Sequence, residues 1–348
     1  MGKKEVQWEE MKNLKKAGSF FVSCLKKVPL QKSFSEVINF LRRPVTLPDN
    51  ILVAASHGSA RFPLRLFRHL TIYYQTSPRL LLNFSDYGTR TLLGKIPDKQ
   101  KVIPRYGRIV GDPNRNLKQD DLIRFHDFGG NRIFREKFEK RLTTSWIRFI
   151  WRKKLLNYSY HPYYAEILKK IEAIASKNND PQKPIVFVDI HDVGDRILGP
   201  RVQDDVARKQ KFAKVVISNA PDEEIEGGVF GTAPQYFIEE FADILAQNLE
   251  IERKEIKINN PYKGGNIIRH FGNPHKNHAL AKALKGQNIF AIQLEFNRSW
   301  YLNEKTQRIY GQKMKFVRQG LMKTLKEISN MNFGEPPLQE EEILDEES

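Results

Sequence analysis

The apolar positions along the chain follow two periods. Ile51-Leu-Val-Ala-Ala55 is a short unbroken apolar run, Pro184-Ile-Val-Phe-Val-Asp-Ile190 is a second, and Asn288-Ile-Phe-Ala-Ile-Gln-Leu294 is a third. Runs of this length without alternation predict strands covered on both faces. Lys214-Val-Val-Ile-Ser218 is a weaker fourth. Between the runs the period lengthens. Pro162 sits at a first helical position, and Ile167, Leu168, Ile171 and Ile174 then recur at helical spacing as far as Ser176. Phe237 to Leu249 and Met314 to Ile328 repeat that pattern. Buried strands alternating with helices predict an α/β layered domain with a mixed sheet. Arg42-Arg43-Pro44, followed by Pro48, breaks the chain just before the first strand. Residues 1–45 therefore read as a basic, partly helical extension, 46–330 as one folded domain, and 331–348 as a tail.

Composition narrows the class. Of the 348 residues, 40% are hydrophobic and 11% aromatic, which is a foldable balance. The single cysteine, Cys24, excludes an internal disulfide framework and a cysteine-based zinc cluster, and it favours a reducing compartment. No apolar run approaches the ~20 residues of a membrane helix. Phe20 to Leu25 is too short for a signal-peptide core and has lysines on both sides. Val6 stands where a myristoylation signal beginning at Met1-Gly2 wants Ser or Thr. The expectation is a soluble protein of the cytoplasm.

Charge is unevenly placed. From Glu335 to Ser348 there are seven acids and no base, so residues 1–334 hold 58 bases against 34 acids, an excess of 24. A tail of this kind is usually solvated. The basic excess centres on Arg132 to Lys154, with nine bases, two acids and interleaved Phe138, Trp146, Phe149 and Trp151. This stretch reads as a basic helix with an apolar face. Nucleic acid or an anionic surface could meet it, but no nucleic-acid motif accompanies it, and a solvated helix is the better reading.

Chemistry gathers where the strands end. The first run leads into Ser56-His57, the second contains Asp189 and leads into His191, and the third leads into Glu295. In open α/β sheets, ligands bind at the carboxyl ends of the strands. Two histidines and a carboxylate brought there from separate strands match a zinc site with one open position, and a further carboxylate would serve as general base. Taken singly, each has a plainer role: a hydrogen-bonded histidine, an arginine-paired glutamate, a buried acceptor at Asp189. Their coincidence at three strand ends favours the metal.

Seven segments in order carry a resemblance. They are His57-Gly-Ser-Ala-Arg-Phe-Pro63, Ser85-Asp86-Tyr-Gly-Thr89, Arg108-Ile-Val-Gly-Asp112-Pro-Asn114-Arg115 and Tyr160-His161-Pro-Tyr. Asp189-Ile-His191, Pro261-Tyr-Lys-Gly264-Gly265-Asn-Ile-Ile-Arg269-His270-Phe-Gly272 and Gln293-Leu-Glu295-Phe-Asn-Arg298-Ser-Trp-Tyr301 complete the set. Together they resemble the motifs of the N-formylglutamate amidohydrolase family over roughly residues 50 to 330. Relatives of that family among the zinc carboxypeptidases and aspartoacylase-type deacylases imply a three-layer α/β/α sandwich around a mixed, mostly parallel sheet.

The resemblance also implies roles. One zinc ion, or another divalent metal in its place, would be held by His57, Asp86 and His191. Glu295 would be the general base and Arg108 the group that polarises the scissile carbonyl. Asn114 and Arg115 would hold the α-carboxylate of a small anionic N-acyl amino acid, and Arg269 a second carboxylate. Residues 46–330 would then be a catalytic metal-hydrolase domain. The alternatives are a related zinc carboxypeptidase or deacylase acting on another acyl amino acid or peptide, and a non-catalytic basic binding protein on this fold. Pro113 replaces the family's usual leucine, Asp192 its usual serine, and His-Gly-Ser its His-Ser-Gly. Ala60 stands where relatives with a His-x-x-Glu motif place their carboxylate ligand.

Overall fold

Strands β1 (Ile51–Ala54), β2 (Lys101–Val102), β3 (Ile185–Val193), β4 (Val215–Ser218), β5 (Ile256–Ile258) and β6 (Ile289–Asn297) form one sheet in the order β2-β1-β3-β6-β4-β5. The first four in that order run parallel, β4 runs antiparallel to β6, and β5 is parallel to β4. The expected mixed, mostly parallel sheet is thus present. The structure is a computed structural model that describes residues 45–331, apart from 128–129, 145–146, 179, 181, 195–211, 224–230 and 304–305. Contacts divide the chain between Val45 and Thr46, and everything below belongs to the second unit. The basic extension and the acidic tail lie outside the described residues.

Helices cover both faces. Those used below are α1 (Tyr87–Leu92), α2 (Glu136–Thr143), α3 (Ile147–Leu156), α4 (Tyr160–Ala175), α5 (Gln235–Asn248), α6 (Asn266–Phe271), α7 (His278–Leu284) and α8 (Gly311–Ser329). Leu52, Phe187, Ile289 and Ala291 of the sheet pack on one face with Ile167, Ile171 and Ile174 of α4, Phe271 of α6 and Leu280 of α7. On the other face the Phe237 ring of α5 meets Phe290 of β6 at 5.1 Å between centroids. The strands are uninterrupted apolar runs because each face has a helical layer to bury against. Among the described residues no helix is long and apolar enough to cross a membrane.

Two readings from the sequence change. β3 and β6 continue to Val193 and Asn297, so His191 and Glu295 lie within strands, not at their ends. The apolar runs stop earlier than the hydrogen-bonded ladder because His191 and Asp192 are polar yet buried. β1 ends opposite Asp189, so both strands project beyond it and present those residues beside its carboxyl end. The basic stretch is two helices, α2 and α3, since Thr144 at the end of α2 is extended. Its apolar side chains part company. Phe138 is buried, stacked on His69 and edge-on to Trp151, whereas Phe149 is 72% exposed. Trp146 lies outside the described residues.

Candidate active site

Parity on neighbouring strands assembles the site. Asp189 pairs in register with Gln293, and His191 with Glu295, so four side chains two residues apart share one sheet face. His57 follows β1 after a tight turn in which the Gly58 N–H donates to the Ala55 carbonyl at 3.0 Å. Asp86 precedes α1, and its N–H donates to the His57 carbonyl at 2.9 Å, which fastens the two loops together. His57, Asp86, Asp112, Asp189 and His191 are all buried.

The two imidazoles are oriented alike. His57 Nε2 lies 2.7 Å from Asp112 Oδ1, and His191 Nε2 lies 2.8 Å from Asp189 Oδ2. Carboxylates of this kind only accept, so each ring donates from Nε2, and in the neutral ring Nδ1 is the nitrogen that carries the lone pair. Both carboxylates are themselves held. Ser56 donates to Asp189 from its N–H at 3.1 Å and its hydroxyl at 3.0 Å. Arg108 donates to Asp112 Oδ2 from Nε at 2.9 Å and Nη2 at 2.6 Å, and the Asn114 N–H donates to Oδ1 at 3.0 Å. Burial opposes the Asp112 charge, but Arg108 and His57 outweigh it and hold the carboxyl far below its ordinary value.

The Nδ1 atoms turn toward one carboxylate oxygen. His191 Nδ1 is 3.0 Å from Asp86 Oδ2, and His57 Nδ1 is 3.3 Å from the same atom. The three groups offer ligand atoms within 4.8 Å of one another, and they could hold a metal ion. The surroundings favour positive charge there. Burial works to lower His191, yet Asp189, Glu295 and Asp86 carry it well above its ordinary value. Burial works to raise Asp86, and hydrogen bonds with His191 and His57 keep it well below.

Around this cluster lies a cavity of about 520 Å³. Its wall includes Glu295, whose carboxyl burial pushes up to about 7, with His191 opposing and Asp86 adding to the shift. Gln293 donates from Nε2 to Glu295 Oε1 at 2.9 Å, while Gln293 Oε1 accepts the Gly265 N–H at 2.9 Å. Asp192 points to the opposite sheet face. Burial raises it to about 7 against the pull of Arg298, and the Tyr301 hydroxyl donates to it at 3.1 Å.

The other residues singled out in the sequence separate. Arg108 and Arg115 line the cavity. Arg115 faces Asp121 Oδ2 at 3.3 Å, and Arg108 keeps an Nη1 with no partner among the described residues. Asn114 also lines it, though its side chain is engaged: Oδ1 accepts the Ile267 N–H at 3.0 Å and Nδ2 reaches Gln293 Oε1 at 3.4 Å. Arg269 is elsewhere, paired with Asp222 at 2.6 Å and Glu223 at 3.3 Å. Sequence reasoning assigned no role to Asp112, Arg124, Lys263, Gln293 or Arg298, all of which hold or line the site. Asp112, Lys263, Gln293 and Arg298 stood inside the matched segments, whereas Arg124 had no local signal.

Comparisons bear on this geometry. The N-formylglutamate amidohydrolase family model matches residues 49–302. A solved structure, N-formylglutamate amidohydrolase from Ralstonia eutropha JMP134, is 17% identical, covering 83% of this chain and 95% of its own, with a TM-score of 0.57. A gene product from Agrobacterium tumefaciens is 16% identical, with 82% and 96% covered and a TM-score of 0.45. At 17% identity the likeness to the Ralstonia eutropha structure speaks for the fold alone. No curated protein matches.

Proposed function

We propose that this chain, which belongs to the N-formylglutamate amidohydrolase family of C–N hydrolases, cleaves the amide bond of a small N-acyl amino acid, N-formylglutamate-like, with one zinc ion. The observation that carries the reading is the convergence of His57 Nδ1, His191 Nδ1 and Asp86 Oδ2 in the wall of a cavity that also holds Glu295.

The donor set fits such an ion. Two neutral imidazoles and one carboxylate are a usual catalytic zinc set, and each histidine has the carboxylate partner that orients metal ligands. His57, Asp86 and His191 would hold the zinc, which when bound supplies Lewis acidity toward the acyl oxygen and the attacking water.

The remaining work falls to the chain's own side chains. Glu295, poised near neutrality, takes a proton from water as it attacks the acyl carbon, then delivers it to the leaving nitrogen as the C–N bond breaks. The products are the acid and the free amine. Arg108 is braced by Asp112, so its Nη1 can meet the charge developing on the acyl oxygen without reorganising. Arg115 reads the substrate's α-carboxylate with a planar fork. Asn114 ties the Gly265 loop to β6, which fixes the wall against which that carboxylate rests.

The test is the release of formate and glutamate in equal amounts from N-formyl-L-glutamate by purified protein, with formamide as a control lacking both carboxylates. Hydrolysis of the former far above the latter supports the reading; hydrolysis of neither removes it.

A further inference from the structure

We propose that Arg298 positions Asp86 for the metal: it holds the Oδ1 side of the carboxylate, so that Oδ2 is the oxygen presented with the two imidazoles. The inference rests on the His57–Asp86–His191 metal centre proposed above and names the group that fixes its carboxylate.

Asp86 uses its two oxygens differently. Oδ2 lies 3.0 Å from His191 Nδ1 and 3.3 Å from His57 Nδ1. Oδ1 meets Arg298, whose Nη2 is 3.5 Å away. A buried carboxylate oxygen left without a donor is costly, so the arginine decides which way the group turns. Arg298 is itself fixed. Its Nη2 lies 2.8 Å from Asp192 Oδ1 and donates to the Asp192 carbonyl at 2.7 Å. The Tyr301 hydroxyl donates to Asp192 Oδ2 at 3.1 Å. Arg298 opens the 3₁₀ turn Arg298–Trp300 that follows β6, and Asn297 Oδ1 caps that turn by accepting the Ser299 N–H at 3.1 Å. β6 stays in register with β3 as far as Asn297 opposite Val193, so Arg298 leaves the sheet beside Asp192.

Packing holds Asp86 from its own side. Gly88, two residues further on, sits so close that a Cβ there would lie 2.7 Å from both Asp192 Oδ2 and Tyr301 Cε2. The first turn of α1 therefore rests on the Asp192–Tyr301 pair, which keeps the Asp86 backbone within reach of Arg298. Position and charge pull in opposite directions here. As a charge, Arg298 repels a cation held by Asp86, so its loss would tighten metal binding. As a brace, it orients the ligand, so its loss weakens binding. Asp192, 2.8 Å from Nη2, already balances the arginine's charge, and the brace is the larger effect.

Zinc affinity, read by competition with a chromogenic chelator, tests this apart from hydrolysis. Arg298→Gln should bind zinc about tenfold to a hundredfold more weakly than wild type, the usual cost of losing the partner of a ligand. Arg298→Lys should recover most of that loss, because the contacts to Asp86 and Asp192 start from one nitrogen and an ammonium carries three donors. Asp192→Asn, which loosens Arg298 without removing it, should weaken binding by less. A merely structural arginine would lower the melting temperature of the metal-free protein on substitution and leave zinc affinity alone. Unchanged or tighter zinc binding in Arg298→Gln, or in Asp192→Asn should the former not fold, would overturn the assignment. Zinc binding that survives His57→Ala undiminished would instead remove the metal centre, and this role with it.

Discussion

His57 Nδ1 and His191 Nδ1 face each other at 3.1 Å, and the rings meet nearly edge-on with centroids 4.6 Å apart. Each ring is anchored at its far nitrogen by a buried carboxylate, so neither can turn away. Two lone pairs aimed at one point, with Asp86 beside them, are stable only around a positive charge. A proton can supply it, and so can a metal ion. The anchoring carboxylates are therefore as much a part of the site as the imidazoles they hold.

Asp189→Asn should keep the fold and weaken metal retention. The amide is nearly isosteric but can donate to His191 Nε2, which upsets the tautomer that leaves Nδ1 unprotonated. Zinc affinity, read by competition with a chromogenic chelator, should fall about tenfold to a hundredfold. Unchanged affinity would show that Asp189 does not orient His191.

Glu295→Gln should retain metal and lose on the order of 10²–10⁴ in kcat, the usual contribution of a positioned acid or base. The pH profile gives an independent reading. The Glu295 carboxyl is pushed up to about 7, and a base must be ionised to act. kcat/KM of the wild type should therefore rise with pH through about 7, and that limb should be absent from whatever activity Glu295→Gln retains. A wild-type limb near an ordinary glutamate value would mean that burial does not tune the base.

Much of the fold was legible in the sequence because parallel strands buried on both faces leave unbroken apolar runs, as at Ile51–Ala54 and Ile289–Ile292. Helix α4 was legible because Ile167, Ile171 and Ile174 keep one stripe against the sheet. The strands' far ends were not, because His191, Asp192 and Glu295 interrupt the apolar run while the ladder continues. His57 and His191 were legible from the strands that lead into them, and Asp86 only through motif order; no periodicity brings residues 57, 86 and 191 together. Arg269 shows the limit. Its motif matched, but its partners Asp222 and Glu223 lie more than forty residues away in the chain and are invisible to local pattern. Arg124 carried no signal at all, since only the fold brings it into the wall that Arg108 and Arg115 line.

Gly265→Ala tests the loop clamp. A Cβ there would lie 2.2 Å from both Asn114 Nδ2 and Oδ1, although the glycine's backbone is extended and suits any residue. The Asn114 side chain must move, and with it go the bonds to Ile267 and Gln293 that hold the cavity wall. Stability should fall by about 1–3 kcal/mol, the usual range for forced overpacking. kcat/KM should fall as well, because Gln293 holds Glu295. Full activity in this variant would mean that the clamp does not position the base.

Arg115→Lys keeps the charge but loses the planar fork. On an N-formyl amino acid kcat/KM should drop roughly tenfold to a hundredfold, and on the corresponding α-carboxamide little further loss should appear. Equal losses on acid and amide would show that Arg115 does not read the α-carboxylate.

The most direct measurement is turnover of N-formyl-L-glutamate followed through metal removal and return. Protein is assayed as purified with its zinc content, again after exhaustive dialysis against a chelator, and again after about one equivalent of zinc is restored. Formate release should disappear with the metal and come back with it, in wild type but not in His57→Ala or His191→Ala. Undiminished release from fully metal-free wild-type protein would contradict a His57–Asp86–His191 metal centre at the heart of the reaction.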